Sequence, residues 1–353
     1  MQNNKLLTIV IPAYNMENYL HRCLDSIIVE SVMGRVQVIV VNDGSKDKTS
    51  EIAHEYENKY PHYIQVIDKE NGNYGSCMNM GLSLAKGKYF RTLDADDWYD
   101  SEAYEKFVAE LDKTDADMLL TERKGYHEDT GIKDSFLFDS SILDNCDMII
   151  NEDLWNLRSI NKMIHVSAVS YKTVILKNSN LIWDSNVFYT DNEFLLWPLC
   201  MVKTIRVFHL PVYVYLSGRE GQSVNPNNLH KNWYSWLVVS RSLLKQVLKP
   251  NYKNSVNYPL IKRCLKVDVL PHFYRTLLYD GLKNQKIVRE IDSLVQADEN
   301  LYAEVGTIDS FRGHFFIEEF RRNMFSFLCT RLDYRLRTNP LLRRAFMKKI
   351  YCL

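Results

Sequence analysis

Four apolar runs, separated by amphipathic segments and all placed within the first 93 residues, restrict most severely how this chain can fold. Leu6 to Ile11 and Val36 to Val41 are almost uninterrupted apolar stretches, the pattern of strands covered on both faces in a parallel sheet. Tyr63 to Ile67 and Lys88 to Leu93 supply two more strands. Between them, Leu20, Leu24, Ile27 and Ile28 recur at helical spacing behind Asn15 as a cap. A second helix is expected from about Asp47 to Tyr60 and a third from Cys77 to Ala85. The order is β-α-β-α-β-α-β. Right-handed crossovers turn it into a doubly wound α/β fold with a mostly parallel sheet and helices on both faces. Ligands of such sheets lie beyond the carboxyl ends of the strands, where Tyr14, Asp43 and Asp94 all fall.

The fourth run ends in Asp94-Ala95-Asp96-Asp97-Trp98, three carboxylates at one strand terminus. Alternation along a strand would put Asp94 and Asp96 on one side and Ala95 on the other. Hard divalent cations take oxygen ligands and usually keep substrate phosphates in their shell, so the pair suits Mn²⁺ or Mg²⁺ with a diphosphate. Asp97 either orients the pair or starts the next helix. The bland alternative for the whole motif is a solvated acidic turn, with Asp97 or Asp100 as N-cap. Asn71-Gly72-Asn73-Tyr74-Gly75-Ser76 is a loop rich in residues that tolerate positive φ, and it leads into the third helix.

Taken in order, Val10-Ile11-Pro12-Ala13-Tyr14-Asn15, Val40-Val41-Asn42-Asp43-Gly44-Ser45, Asn79-Met80-Gly81-Leu82 and Leu93-Asp94-Ala95-Asp96-Asp97 resemble the inverting family 2 glycosyltransferases, whose catalytic domain has the GT-A fold. The likeness is strong over about the first 100 residues and looser to about Ser223. It implies a nucleotide-sugar donor, a UDP-sugar first, and a saccharide or lipid-linked acceptor. It implies Asp96 as the leading metal ligand with Asp94 on the ribose or metal side, and Pro12, Tyr14, Asp43 and Gly44 around the base. Asn71, Gly75 and Asn79 would approach the ribose and diphosphate, and Arg219 could meet phosphate oxygens with its planar fork. Asp191, in Phe188-Tyr189-Thr190-Asp191-Asn192-Glu193, is the candidate base that takes the proton from the acceptor hydroxyl. Glu193 is its rival, with a first-turn carboxylate as the plainer reading. The chain departs from the family at Met78, where many relatives carry a basic residue, so the phosphate charge would fall to the metal and to Lys86, Arg91 or a later arginine.

Composition narrows the alternatives. Lys plus Arg and Asp plus Glu both number 44, so no global field favours nucleic acid or an acidic partner. Seven scattered cysteines fit a reducing compartment better than a disulfide framework. An early first strand leaves no room for a signal peptide, and no run approaches the length of a membrane span, so a cytoplasmic protein is expected. A nucleotidyltransferase or a dinucleotide oxidoreductase would need a glycine-rich loop after the first strand, and Pro12-Ala13-Tyr14-Asn15 is not one. An inactive donor-binding scaffold stays open.

We expect a catalytic domain over residues 1–225 and a helical region over 226–353. Trp233, Trp236, Leu237, Ser240, Leu243, Leu244 and Val247 keep helical spacing, and further amphipathic stretches run from Tyr258 to Leu282, Gln285 to Val295 and Phe311 to Leu332. Arg331 to Lys349 is basic and interleaved with leucines, a candidate for lying on an anionic membrane surface or for a solvated helix. Trp155, Trp183 and Trp197 are candidates for acceptor stacking or for core.

Overall fold

The structure, a computed structural model, describes residues 5–131, 133–138, 146–151, 164–219, 222, 223, 228, 231–299, 301 and 302. The chain falls into two compact units. One comprises the residues up to Glu220 together with Ser255–Pro259; the other comprises Gly221–Asn254 and the residues from Leu260 onward.

In the first unit, β1 (Leu7–Ala13) and β2 (Val36–Asn42) form the centre of one half of the sheet, and their apolar runs are buried almost throughout. They pair in parallel, Leu7 opposite Val36 and Ala13 opposite Asn42. β3 (Ile64–Asp68) lies parallel to β2, and β4 (Tyr89–Thr92) lies parallel to β1. Helix α1 (Leu20–Ile27), short α2 (Glu30–Met33), α3 (Thr49–Lys59) and α4 (Asn73–Leu84) make the crossovers. Leu20, Cys23, Leu24 and Ile27 face the sheet from α1, as their spacing requires.

Beyond β4 the sheet becomes mixed. β5 (Trp98–Tyr99) and α5 (Ser101–Glu110) lead to β6 (Met118–His127), with β7 (Lys133–Phe136) and β8 (Asp147–Ile149) as side pairings. β9 (Val169–Lys172) enters antiparallel between β4 and β6, and β10 (Thr204–Ser217) runs parallel to β6. The strand order is β3-β2-β1-β4-β9-β6-β10-β5. The β-α-β portion read from the sequence is therefore one half of a larger sheet. The other half is closed by β10, whose bulges near Phe208 and Pro211 bend it back over the end of β4.

The second unit holds α8 (Trp233–Val247), α9 (Pro250–Lys253), α10 (Tyr258–Cys264, its first residues lying in the first unit) and α11 (Leu270–Gln296); α6 (Thr173–Asn178) and α7 (Asp191–Leu196) belong to the first. α8 lies against α11, with the Trp236 ring stacked on His272 at 4.3 Å. The break expected between Leu282 and Gln285 does not occur: both lie within α11, and neither a proline nor a glycine separates them. The expected stretch from Phe311 to Leu332, the basic segment Arg331 to Lys349 and Trp155 lie outside the described residues. No helix among the described residues is long and apolar enough to cross a membrane.

Candidate active site

The carboxyl ends of β1 and β2 are tied together by backbone and side chain. Asp43 N–H donates to Ala13 O at 2.8 Å, Asn15 N–H to Ser45 Oγ at 3.0 Å, and Lys46 N–H to Asn15 Oδ1 at 2.8 Å. Asn15 holds a positive φ of 55°, a conformation asparagine tolerates. Tyr14 projects from this junction and stays 44% exposed, while Pro12 is half-buried opposite Val41. Asp43 is buried, and its Oδ1 accepts from Lys69 Nζ at 2.6 Å and from Gly72 N–H at 2.9 Å. Asn71 Nδ2 donates to Asp43 O at 2.9 Å, closing the loop over Gly44, whose φ of 72° suits a residue without a side chain. The structure thus brings Tyr14, Asp43, Gly44 and Asn71 to one corner, where the Cys77 thiol also donates to the Asp43 carboxylate.

The acids sit on a turn. β4 ends at Thr92, and Asp97 N–H donates to Asp94 O at 3.0 Å. Strand alternation, the expected cause of convergence, is therefore not the cause: the turn gathers carboxylate oxygens of Asp94, Asp96 and Asp97 within 4.8 Å of one another. Their environments separate their tasks. Asp97 is buried with both oxygens committed, one accepting from Tyr213 Oη–H at 2.6 Å and one from Leu216 N–H at 2.7 Å. It fastens the turn to β10. The helix cap is Asp100, which accepts from Ala103 N–H at 3.1 Å.

Asp96 Oδ2 accepts from Arg219 Nε and Nη2, both at 2.8 Å, and its carbonyl accepts from Arg22 Nη2 at 3.0 Å. The Arg22 guanidinium lies 3.9 Å over the Trp98 ring, and that of Arg219 lies 5.3 Å over Tyr19. Among the described residues no donor reaches the Asp94 carboxylate. Burial, then the negative charges of Asp96 and Asp191, push its pKa up to about 7, against the pull of Arg219. Burial, then the charges of Asp96 and Asp94, hold Asp97 well above the usual range against the donations of Tyr213 and Leu216. Among the described residues Arg219 alone forms an ion pair with the three crowded carboxylates, and oxygen donors so placed fit a hard divalent cation at Asp94 and Asp96. Asp97 would hold the turn beneath it.

Asp191 begins α7, following Tyr189 at a φ of 67°. It lies close enough to Asp94 to raise that carboxyl, and burial raises its own pKa against the donation of Asn192 Nδ2 at 3.3 Å. Glu193, the rival base, is fully buried and accepts from Asp184 N–H at 2.9 Å, which gives it a framework role. Two residues expected at the donor serve the same framework. Asn79 exchanges hydrogen bonds with Trp183, its Nδ2 donating to Trp183 O at 2.9 Å and its Oδ1 accepting from Trp183 N–H at 3.0 Å. Gly75 is glycine because a Cβ would stand 2.2 Å from Asp184 O. Together they seat the 183–184 segment on the start of α4. Trp183 is 1% exposed and packs on Phe194 and Phe90, so it is core.

Residues 8–160 match the sequence profile of Glycosyl transferase family 2. Over that segment the chain resembles the family 2 glycosyltransferases. It is 34% identical over 126 residues to glycosyltransferase GlyA of Streptococcus pneumoniae, covering 36% of this chain and 18% of that protein. It is 26% identical over 229 residues to the uncharacterized glycosyltransferase EpsJ of Bacillus subtilis, covering 64% and 62%. Against the minor teichoic acid biosynthesis protein GgaB of Bacillus subtilis, identity is 26% over 314 residues, covering 85% and 31%. The chain thus spans less than two thirds of the length of each of these relatives. Among solved structures, S. aureus TarS 1-349 in complex with UDP-GlcNAc has a TM-score of 0.57 at 20% identity, covering 87% of this chain and 91% of that one. The mannosyltransferase PcManGT from Pyrobaculum calidifontis, with GDP-Man and Mn²⁺, has a TM-score of 0.51 at 14% identity, covering 85% and 84%. These structural likenesses establish the shared GT-A-like fold.

The cation question raised by Met78 has a definite geometry. Met78 is fully buried. Arg91, a sequence candidate for phosphate, is also fully buried: it donates to Thr121 Oγ1 at 2.9 Å and to Ser167 O, between the rings of Tyr99 and Phe107. It cannot meet a ligand. Lys86 precedes β4 and so lies at the amino end of the sheet, away from the acids. Arg219 alone of the candidates reaches them. Sequence reading missed Lys69, Arg22 and the role of Tyr213. Lys69 is the first residue past β3, a position the strand-end rule could have flagged. Tyr213 lies 116 residues from Asp97 and carries no local signal.

Proposed function

We propose that the chain transfers a sugar from a nucleotide-diphosphate donor, a UDP-sugar before others, to an acceptor hydroxyl in a single inverting displacement assisted by a divalent cation. The product would be a surface polysaccharide, glycolipid or teichoic-acid-like polymer. The observation that carries this reading is the charge-poor cluster of Asp94 and Asp96 beside Asp191, all at the carboxyl end of β4. TarS with UDP-GlcNAc and the Mn²⁺ complex of the mannosyltransferase share its fold and support a donor and a cation of these kinds. In this reading the catalytic domain spans residues 1–225.

Tyr14 offers the base a flat face, and the Asp43 carboxylate, whose Oδ1 is fixed by Lys69 and Gly72, accepts a base N–H. Asp94 and Asp96 would hold Mn²⁺ or Mg²⁺, which when bound neutralises the charge growing on the departing diphosphate. Arg219 stands where it can pass from Asp96 to a phosphate oxygen. Asp191, ionised, takes the acceptor proton; burial raises its affinity for that proton and so favours the transfer. No general acid is required, because a diphosphate leaves without protonation.

The test is donor turnover. Wild-type protein with Mn²⁺ should release nucleoside diphosphate from one of a panel of sugar nucleotides. Asp191→Asn should lower the transfer rate by about 10²–10⁴-fold while keeping donor affinity. Donor turnover unchanged by Asp191→Asn would refute the assignment of the base, and no turnover or binding with any donor would refute the function.

A further inference from the structure

Arg123 lies in β6 on the acceptor half of the sheet, two strands beyond the one that ends in the acid cluster. It stands in register with Tyr213 of β10 on one side and with Phe136 of β7 on the other. Its guanidinium sits 4.2 Å over the Phe136 ring, which is 41% exposed, so the group lies near solvent. Tyr215 continues the same face two residues beyond Tyr213, and Gly125 opposite Tyr215 has no side chain to fill the space. The His165 ring packs edge-on against Tyr215.

Among the described residues, the Arg123 side chain makes no ion pair and no hydrogen bond. Its Nε is fully buried and without a partner. The acid whose charge it feels is Asp97, which already serves Tyr213 and Leu216. Every other arginine described around this sheet half is engaged: Arg91 with Thr121, Arg206 with Asp147 and Arg219 with Asp96. A guanidinium stays charged at all ordinary pH, so leaving its five donors half-buried and unmet is costly, and a ring face replaces only part of their hydration. An unsatisfied group of this kind beside an active site is explained by a ligand that satisfies it.

We propose that Arg123 is the anion-binding residue of the acceptor site, taking oxygens of a phosphate or carboxylate group carried by the acceptor. This rests on the transferase reading above and adds the class of acceptor to it. The donor diphosphate is the less suitable occupant. Its base corner lies at β1 and β2 and its cation at the end of β4, whereas Arg123 is set across β9 from that strand. A planar fork suits two oxygens of one phosphate or carboxylate.

The experiment titrates full-length protein with three oligomers of matched length: poly(glycerol phosphate), a hexuronate-containing glycan and neutral dextran. Wild type should bind one of the anionic oligomers more tightly than dextran, and the choice between the two names the anion. Arg123→Met should lower that affinity by about tenfold, with Arg123→Lys between them. Mn²⁺-dependent UDP binding should be unchanged in both variants. The melting temperature of Arg123→Met should equal or exceed that of wild type, because an unmet buried charge has been removed. Retained oligomer affinity in Arg123→Met, or no anionic preference in the wild type, would overturn the proposal. A lower melting temperature with unchanged oligomer affinity would make Arg123 structural, and an equal loss of UDP affinity would assign it to the donor. Wild type that binds an anionic oligomer but no UDP would instead defeat the donor reading.

Discussion

Replacing Tyr213 by phenylalanine deletes one oxygen that holds the acidic turn from two directions. It donates to the buried carboxylate of Asp97 at 2.6 Å and accepts from Asp94 N–H at 3.2 Å. Asp97 and Tyr213 are each 1% exposed, so water cannot take its place without rearrangement. Losing a hydrogen bond to a buried charged group costs about 1.5–3 kcal/mol. The longer bond to Asp94 N–H adds about 1 kcal/mol, so the total is about 2–4 kcal/mol where Asp97 is ionised. Protonation relieves part of this. The Tyr213 donor favours the ionised Asp97, so removing it raises a carboxyl that burial already holds well above its ordinary pKa. A folded-state pKa raised further favours the variant at acid pH and penalises it at alkaline pH. Urea denaturation of wild type and Tyr213→Phe at pH 8.5 and pH 5.5 should therefore show a large deficit at the higher pH and a smaller one at the lower. Tyr99→Phe is the control for the pH dependence, because its hydroxyl meets Thr92 O at 3.4 Å and the Arg91 guanidinium rather than an acid. An equal deficit at both pH values, or a Tyr99→Phe deficit that changes with pH as much as that of Tyr213→Phe, would refute the assignment of Asp97 as the charged anchor of the turn.

Gly75→Ala should destabilise the protein by about 1–3 kcal/mol and lower turnover more than donor affinity, because its Cβ would push on Asp184 O and displace the segment that supports Asp191; melting temperature and kinetic constants check this. Lys69→Met should weaken nucleoside diphosphate binding by about tenfold or more, since the buried Asp43 carboxylate loses its cationic partner and keeps only neutral donors, Gly72 N–H and the Cys77 thiol; calorimetry checks it. His165 has its pKa lowered to about 3 by burial and then by Arg123, below the unfolded value near 6.5. Its contribution to stability is complete above pH 6.5 and is lost as pH falls toward 3, by up to about 1.4 kcal/mol per pH unit. The stability curve of His165→Gln should accordingly gain on that of wild type below pH 6.5, and parallel curves would contradict the reading.

Much of the donor half could be read from the sequence because its signals are local. The runs at Val10 and Val38 mark buried parallel strands, and their ends name Tyr14, Asp43 and the acid turn. What escaped was set by contacts between distant segments. No local pattern shows that Asp97 is held by Tyr213, or that Asn79 and Gly75 face Trp183 and Asp184. Arg91 and Lys86 read alike as phosphate candidates, yet one is sealed under Tyr99 and the other lies at the amino end of the sheet. The acids converge through a hydrogen-bonded turn rather than through strand alternation, so a sound expectation rested on the wrong local geometry. The antiparallel β9 could not be foreseen from Val169-Ser170-Tyr171-Lys172, since so short a segment takes its direction from the strands on either side.

The account stands on Asp94 and Asp96 taking a divalent cation together with a nucleoside diphosphate. Electron paramagnetic resonance of Mn²⁺ reads this directly, because the sharp signal of the free ion falls as protein binds it. Wild type should remove Mn²⁺ from solution far more strongly with UDP or another nucleoside diphosphate present than without, and Asp96→Asn should return the free-ion signal while leaving the fold intact. A signal unchanged by wild-type protein with every nucleotide, or one removed equally well by Asp96→Asn, would contradict it.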